Sequence, residues 1–260
     1  MAEVLGNIVL VGETGAGKSS IIDMIAGTRV AQISNIALAG TRVFESQSYI
    51  LPVHGRDYRF FETSSLNVGD WGTMERTEAI ANLYNLITRL DGGISLLIFC
   101  MRGSSITDVV AQNWTLFHDI VCGGEVPTLL VVTGLENEEI MNKVWWDNRG
   151  TFEDQGICPD DAACITTIRG RRVRENCHTF DEHYEESQRK IPNMILNRVR
   201  LRTRHVDKMN WFFTTTRSTF SFFGWTKTHN ANVTREIATL IGLTRGEARR
   251  LAEELDVGGK

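Results

Sequence analysis

The stretch GETGAGKS at residues 12–19 decides the fold of this chain. It matches the phosphate-binding pattern G-x-x-x-x-G-K-[ST] at every fixed position. It follows a short apolar run at residues 4–11 (VLGNIVLV) and leads into residues 17–26, where apolar residues recur at helical spacing. In such a strand–loop–helix context, successive backbone N–H groups surround phosphate oxygens at the positive end of the helix dipole. The sequence therefore predicts a nucleoside-phosphate site near the start of the chain.

Each residue type in this loop has an expected chemical role. Lys18 is expected to reach the β- and γ-phosphates, and the Ser19 hydroxyl is expected to bind Mg²⁺. The residues predicted to contact the nucleotide here are Gly12, Glu13, Thr14, Gly15, Ala16, Gly17, Lys18, Ser19 and Ser20. The motif therefore predicts Mg²⁺ as the cofactor.

Outward from the loop, predicted strands alternate with predicted helices. Strands are predicted at residues 41–51, 57–62, 93–101, 127–133 and 163–168, and helices at residues 74–90, 106–121, 138–154 and 179–202. Several of the strands are apolar throughout, which is typical of a parallel sheet buried on both faces. The pattern predicts an α/β protein: a three-layer P-loop NTPase fold with a mainly parallel central sheet and a helical C-terminal extension.

The pattern changes after about residue 204, where we place a domain boundary. Residues 1–204 are predicted to form the P-loop domain, and residues 205–260 an aromatic segment followed by the helical extension. Within the extension, Thr244 and Glu247 form a capping-box pattern that favours a helical hairpin. A DNA-binding helix-turn-helix is the alternative, although glutamates dilute its basic face. The aromatic segment is expected to pack on the core, with contact to a membrane or a partner as alternatives.

Composition limits the classes of protein to which this chain can belong. It is 42% hydrophobic and 23% charged with a net charge of −4, which argues against a protein that coats nucleic acid. Its five cysteines show no metal-ligand or disulfide-framework spacing and are expected to be buried thiols. No signal-peptide pattern is present, and no apolar run reaches the ~20 residues of a membrane-spanning helix. A cytoplasmic location without membrane contact is therefore expected.

Three stretches carry a resemblance to a known family. They are GETGAGKSSIIDMIAG at residues 12–27, LLIFCMRGSSIT at residues 96–107 and VPTLLVVTGLE at residues 126–136. In them the chain resembles the septin-like and immune-associated group of TRAFAC-type P-loop GTPases, which includes chloroplast envelope import receptors. It looks closest to the fungal G domain-containing proteins of that group. The resemblance covers about residues 5–200 and implies a G domain that binds GTP or GDP with Mg²⁺.

The resemblance also implies roles for residues outside the phosphate loop. Thr41 is expected to sense Mg²⁺ and the γ-phosphate, and Glu62 takes the place of the aspartate in the D-x-x-G switch motif, which here is ETSS. The implied catalytic residues are Lys18, Thr41 and Glu62, and the implied metal ligands are Ser19, Thr41 and Glu62. No glutamine follows the motif to orient the attacking water, so Glu62, Asn67 and Asp70 are candidates for that role.

Base recognition departs from the family pattern [NT]-K-x-D. Residues 133–136 are TGLE, so Thr133 and Glu136 are candidate base-binding residues, and Gly134 replaces the lysine that stacks on the base. A carboxylate at Glu136 favours guanine, with adenine as the alternative. The short loop that completes the base site is expected at residues 166–168.

Three functions are compatible with these residues. The first is Mg²⁺-dependent hydrolysis of GTP by a small GTPase-type switch. The second is hydrolysis of an adenosine nucleotide on the same fold, and the third is nucleotide-gated assembly with little turnover. Intact Lys18, Ser19 and Thr41 favour hydrolysis, whereas the missing glutamine and the altered switch motif favour the assembly module. The resemblance also implies a homodimer formed through the nucleotide face.

Overall fold

The computed structural model of this chain describes residues 4–31, 46–63, 90, 92–103, 105–199 and 246. Several predictions fall on other residues and stay predictions. These are the switch threonine Thr41, the candidates Asn67 and Asp70, most of the helix at residues 74–90, and almost all of the C-terminal extension.

A six-stranded sheet organises the described residues. Its strands are β1 (Asn7–Gly12), β2 (Ser46–Val53), β3 (Arg56–Thr63), β4 (Leu96–Arg102), β5 (Thr128–Thr133) and β6 (Asp161–Cys164). Two further strands, β7 (Arg172–Arg174) and β8 (Cys177–His178), form a separate hairpin. The sheet order is β2-β3-β1-β4-β5-β6, with β2 antiparallel to β3 and every other neighbouring pair parallel. The predicted α/β fold with a mainly parallel sheet is confirmed.

Helices cover both faces of this sheet. They are α1 (Lys18–Ala26), α2 (Asp108–Trp114), α3 (Met141–Asp154) and α4 (Asp181–Arg198), and α2 continues as a π-helix over Thr115–Val121. Alternate strand residues point to opposite faces: Phe99 packs with Trp114 of α2, whereas Ile98 belongs to the cluster that contains Ile21 of α1 and Ile191 of α4. Burial on both sides explains why β1, β4 and β5 are mainly apolar along their whole length. None of the described helices has both the length and the apolar character needed to cross a membrane.

Some predicted boundaries are wrong. The helix predicted at residues 138–154 begins at Met141, and the long final helix ends at Arg198 because Val199 has an extended backbone. The strand predicted at residues 163–168 ends at Cys164. The β7–β8 hairpin was not predicted, because its strands are only three and two residues long and provide no apolar alternation.

The cysteines only partly match the expectation of burial. All five are free thiols; Cys100, Cys122 and Cys164 are buried, and Cys158 and Cys177 are exposed. Burial raises the pKa of the Cys100 and Cys122 thiols to about 12. Cys158 lies in the loop before β6 and Cys177 in the small hairpin, so neither lies in the packed layers.

The part of the chain that the structure describes contains no cluster of three or more histidine, cysteine or acidic side chains that could hold a metal ion.

A buried amide in α2 leads to a prediction about stability. Asn113 is 1% exposed, and neither its Nδ2 nor its Oδ1 has a hydrogen-bond partner among the described residues. An unsatisfied buried polar group costs about 1–3 kcal/mol. We therefore expect Asn113→Leu, which keeps a similar shape, to raise the free energy of unfolding by about 1 kcal/mol in urea titration. Asn113→Asp should lower it, and a loss of stability in the leucine variant would contradict the prediction.

Candidate functional site

The phosphate loop joins the C-terminal end of β1 to the first turn of α1. Its backbone depends on glycines with positive φ: Gly12 at 143°, Gly15 at 79° and Gly17 at 88°. At Gly12 there is no room for a side chain, because a Cβ atom would lie 2.1 Å from the backbone oxygen of Cys100 in β4. Thr14 and Gly15 are exposed at the tip of the loop. The N–H groups of the first turn of α1 lie next to the loop and are suited to binding phosphate.

Lys18 is the first residue of α1, and its side chain turns back into the loop. Its Nζ donates hydrogen bonds to the backbone oxygens of Gly12 at 2.9 Å and Glu13 at 3.0 Å. Burial lowers the pKa of this ammonium group, and the charges of Cys100, Glu62 and Glu13 oppose that shift. The loop therefore holds a buried cation where phosphate oxygens are predicted to bind.

Ser19 and Glu62 meet beside the loop, although 43 residues separate them in sequence. The Ser19 hydroxyl donates a hydrogen bond to the Glu62 carboxylate. Glu62 lies near the end of β3, and its position is set by the parallel pairing that places it opposite Leu10 of β1. Burial raises the pKa of the Glu62 carboxyl, while the Ser19 hydrogen bond and the charge of Lys18 lower it in part. Hydroxyl and carboxylate oxygens are ligands that Mg²⁺ prefers, so the chemistry of this pair fits the ion.

Thr133, the last residue of β5, contacts the backbone of the phosphate loop. Its Oγ1 lies 3.0 Å from the backbone oxygen of Ala16 and 3.2 Å from that of Met101. The side chain is 1% exposed, and a Cβ atom on Gly17 would lie 3.1 Å from its methyl group. The Thr133 side chain therefore faces the loop backbone, and its contact with a base stays a prediction.

The loops after β5 and β6 lie side by side. Thr166 Oγ1 donates a hydrogen bond to Glu136 Oε2 at 3.3 Å, and the Leu135 N–H donates to the Ile165 oxygen at 3.4 Å. Thr166 Oγ1 also accepts from the Ile168 N–H at 3.3 Å, which closes a turn over residues 166–168. Glu136 and this turn, both predicted to contact the base, are thus neighbours at the C-terminal edge of the sheet.

An open pocket of about 420 Å³ adjoins the turn at residues 166–168. Among its lining residues are Ser20, Asp23, Thr167, Ile168 and Tyr184. Asp23 also accepts hydrogen bonds from the N–H groups of Val30 and Ala31 at 2.7 and 2.8 Å, which holds the loop after α1 in place. The predicted nucleotide-binding residue Ser20 therefore lines a pocket of a size that small ligands occupy.

The structure brings the described predicted residues together at one edge of the sheet. The phosphate loop, Glu62, Thr133 and Glu136 follow or end parallel strands, as expected for ligand sites in such sheets. Sequence reasoning missed Arg102, which ends β4 and lies against Gly134. Its signal was a single cation at the end of a buried apolar strand.

No family model and no curated protein matches this chain. Similar solved structures include Era of Aquifex aeolicus bound to GDP and AlF4⁻, with 15% identity over 75% of this chain and 57% of that chain and a TM-score of 0.48. A second structure is Era in complex with MgGDPNP and 16S ribosomal RNA, with 13% identity over 77% of this chain and 58% of that chain and a TM-score of 0.49. Toc33 of Arabidopsis thaliana with GDP and Mg²⁺ has 16% identity over 75% of this chain and 86% of that chain, with a TM-score of 0.44.

This chain thus spans only 57% and 58% of the length of the two Era chains. At such low identities and TM-scores, the likenesses carry no argument about activity. Membership of the septin-like and immune-associated group accordingly stays a prediction from the sequence.

Proposed function

We propose that this chain binds GTP with Mg²⁺ at the phosphate loop and hydrolyses it to GDP and phosphate as a molecular switch. The observation that carries the proposal is the buried Lys18 ammonium, whose Nζ lies 2.9 and 3.0 Å from two loop carbonyl oxygens. A buried cation beside a helix N-terminus is suited to a polyanionic ligand. We assign this activity to residues 1–204, with residues 205–260 as an appended segment.

The phosphates would be held by the loop backbone and by Lys18. Phosphate oxygens accept from the N–H groups of the first turn of α1 and from the ammonium group, which then exchanges its carbonyl partners for charged ones. These donors also stabilise the negative charge that develops as the γ-phosphate leaves. Catalysis would therefore come from preorganised positive charge, with no covalent step on the protein.

Ser19 and Glu62 would hold Mg²⁺, and Thr41 is proposed as a further ligand from its place in the sequence. When bound, the ion would supply positive charge that offsets the negative charge of the phosphates. The hydrogen bond between the Ser19 hydroxyl and the Glu62 carboxylate supports the proposal, because it places two suitable oxygen ligands together beside Lys18. Glu62 therefore takes the role that an aspartate has in related switch motifs.

Glu136 would select guanine. A carboxylate accepts hydrogen bonds, and the N1 and N2 groups of guanine both donate, whereas adenine offers an acceptor at N1. Thr166 donates to Oε2 of Glu136 and so holds the carboxylate beside the turn at residues 166–168, of which Thr167 and Ile168 line the pocket. An adenosine nucleotide on the same site is the alternative that this contact disfavours.

Nucleotide-gated assembly with little turnover is a second candidate. It is favoured by Leu66 and Asn67, which stand where a glutamine would orient the attacking water. A homodimer through the nucleotide face would then supply groups that one chain lacks.

Phosphate release with GTP and ATP, with and without Mg²⁺, tests the proposal. We expect Mg²⁺-dependent release that prefers GTP and that falls about tenfold or more in Ser19→Ala. Ser19→Thr is the matched control, because it keeps the hydroxyl and the pattern allows it. Full activity of the alanine variant would contradict the metal assignment. Nucleotide binding without phosphate release would favour the assembly module, and faster release with ATP than with GTP would favour the adenosine alternative. A specific activity that rises with protein concentration would support the dimer.

A further inference from the structure

The space beside Gly134 is occupied by a side chain from the neighbouring strand. A Cβ atom on Gly134 would lie 3.1 Å from Cγ, 3.3 Å from Nε and 3.7 Å from Cζ of Arg102. Gly134 itself has a φ of 79°, in the left-handed region. The stem and guanidinium of Arg102 therefore lie across the face of a residue that has no side chain of its own.

Strand pairing fixes the base of the Arg102 side chain. Arg102 is the last residue of β4 and pairs with Thr133 of β5, and the Gly103 N–H donates to the Thr133 oxygen at 2.9 Å. The Thr133 hydroxyl in turn contacts the phosphate loop at the oxygen of Ala16. Arg102 thus has a backbone position that is rigid relative to the phosphate loop, while its side chain is exposed.

The geometry of the site indicates where a nucleoside would lie. Glu62 reaches the loop from β3, on one side of β1 in the sheet. Thr133, Gly134 and Glu136 lie beyond β4 on the other side, next to the turn at residues 166–168 and its pocket. A nucleotide with its terminal phosphate near Glu62 would therefore extend its base toward Gly134 and Arg102.

We propose that Arg102 stacks its guanidinium on the purine base and so supplies from β4 the cationic surface that Gly134 cannot provide. A guanidinium is planar, delocalised and weakly hydrated, and it stacks on aromatic faces, including those of bases. The absence of a Cβ on Gly134 leaves room for this side chain. Arg102 is then a specificity-determining residue for a nucleoside, with no part in binding the phosphates. This inference rests on the proposed function.

Titrations with two ligands test the inference: GTP, and inorganic tripolyphosphate, which has the phosphates but no base. Both are measured with Mg²⁺. We expect Arg102→Ala to weaken GTP binding about tenfold and to leave tripolyphosphate binding unchanged. Arg102→Lys keeps the positive charge and the aliphatic stem but loses the planar group. Its affinity for GTP should therefore lie between those of the wild type and Arg102→Ala. Arg149→Ala removes an exposed arginine that pairs with Glu153 and should change neither affinity.

The outcomes separate this inference from the proposed function. Unchanged GTP affinity in Arg102→Ala would overturn the role of Arg102. Equal losses for GTP and tripolyphosphate would also overturn it, because Arg102 would then act on phosphate. If Lys18→Ala weakens both ligands while Arg102→Ala weakens neither, the proposed function stands and the inference fails. Wild-type protein that binds neither ligand would overturn both.

Discussion

Lys18→Ala protein is expected to bind GTP at least ~100-fold more weakly than the wild type, because the substitution removes the cation that binds phosphate. The variant loses the charge-assisted hydrogen bonds to phosphate. In the free protein the Lys18 Nζ lies 2.9 and 3.0 Å from the backbone oxygens of Gly12 and Glu13, so the cation is already placed at the loop. Burial lowers the pKa of Lys18, because it costs free energy to keep the charged ammonium group out of water. Removing this group should therefore not unfold the chain.

Calorimetric titration of GTP in the presence of Mg²⁺ measures this effect. Lys143→Ala is the matched control, since Lys143 is an exposed lysine on α3. The control should bind GTP as the wild type does, and both variants should unfold at wild-type urea concentrations. Unchanged affinity in Lys18→Ala would rule out the phosphate loop as the binding site.

Gly12→Ala is expected to lower the free energy of unfolding by about 3–5 kcal/mol, whether or not any nucleotide is bound. The added Cβ would lie 2.1 Å from the oxygen and 3.0 Å from the carbonyl carbon of Cys100. These are backbone atoms of β4, the strand that pairs with β1 at this position. Neither strand can move aside without breaking the register of the central sheet, and the φ of 143° adds strain for any residue with a side chain.

Gly15→Ala separates the two causes in urea denaturation. Gly15 also has a positive φ, at 79°, but a Cβ there would meet no atom within 4 Å. Its alanine variant should therefore lose only about 1 kcal/mol, the cost of the backbone conformation alone. Similar losses in the two variants would show that the contact with Cys100 has no part in the effect.

Much of the fold could be predicted from residues close together in the sequence. The apolar runs that became β1, β4 and β5 could be recognised because strands buried on both faces have no polar side. The β7–β8 hairpin could not be predicted, because its two short strands are mostly exposed and contain no periodic pattern. The unsatisfied Asn113 is a similar case, since its burial depends on how α2 packs on the sheet.

The sequence alone determined the phosphate loop, because glycine, lysine and serine at fixed spacing dictate the backbone shape and the chemistry of one short turn. The resemblance already named Glu62 as a site residue, but only the tertiary structure decided that it meets Ser19 and that Arg102 lies against Gly134. Glu62 reaches Ser19 because β3 pairs with β1, and Arg102 covers Gly134 because β4 ends beside β5. These contacts join residues far apart in the chain, and the register of a parallel sheet sets them. That register depends on how all the strands and helices pack together, which no local pattern of residues contains.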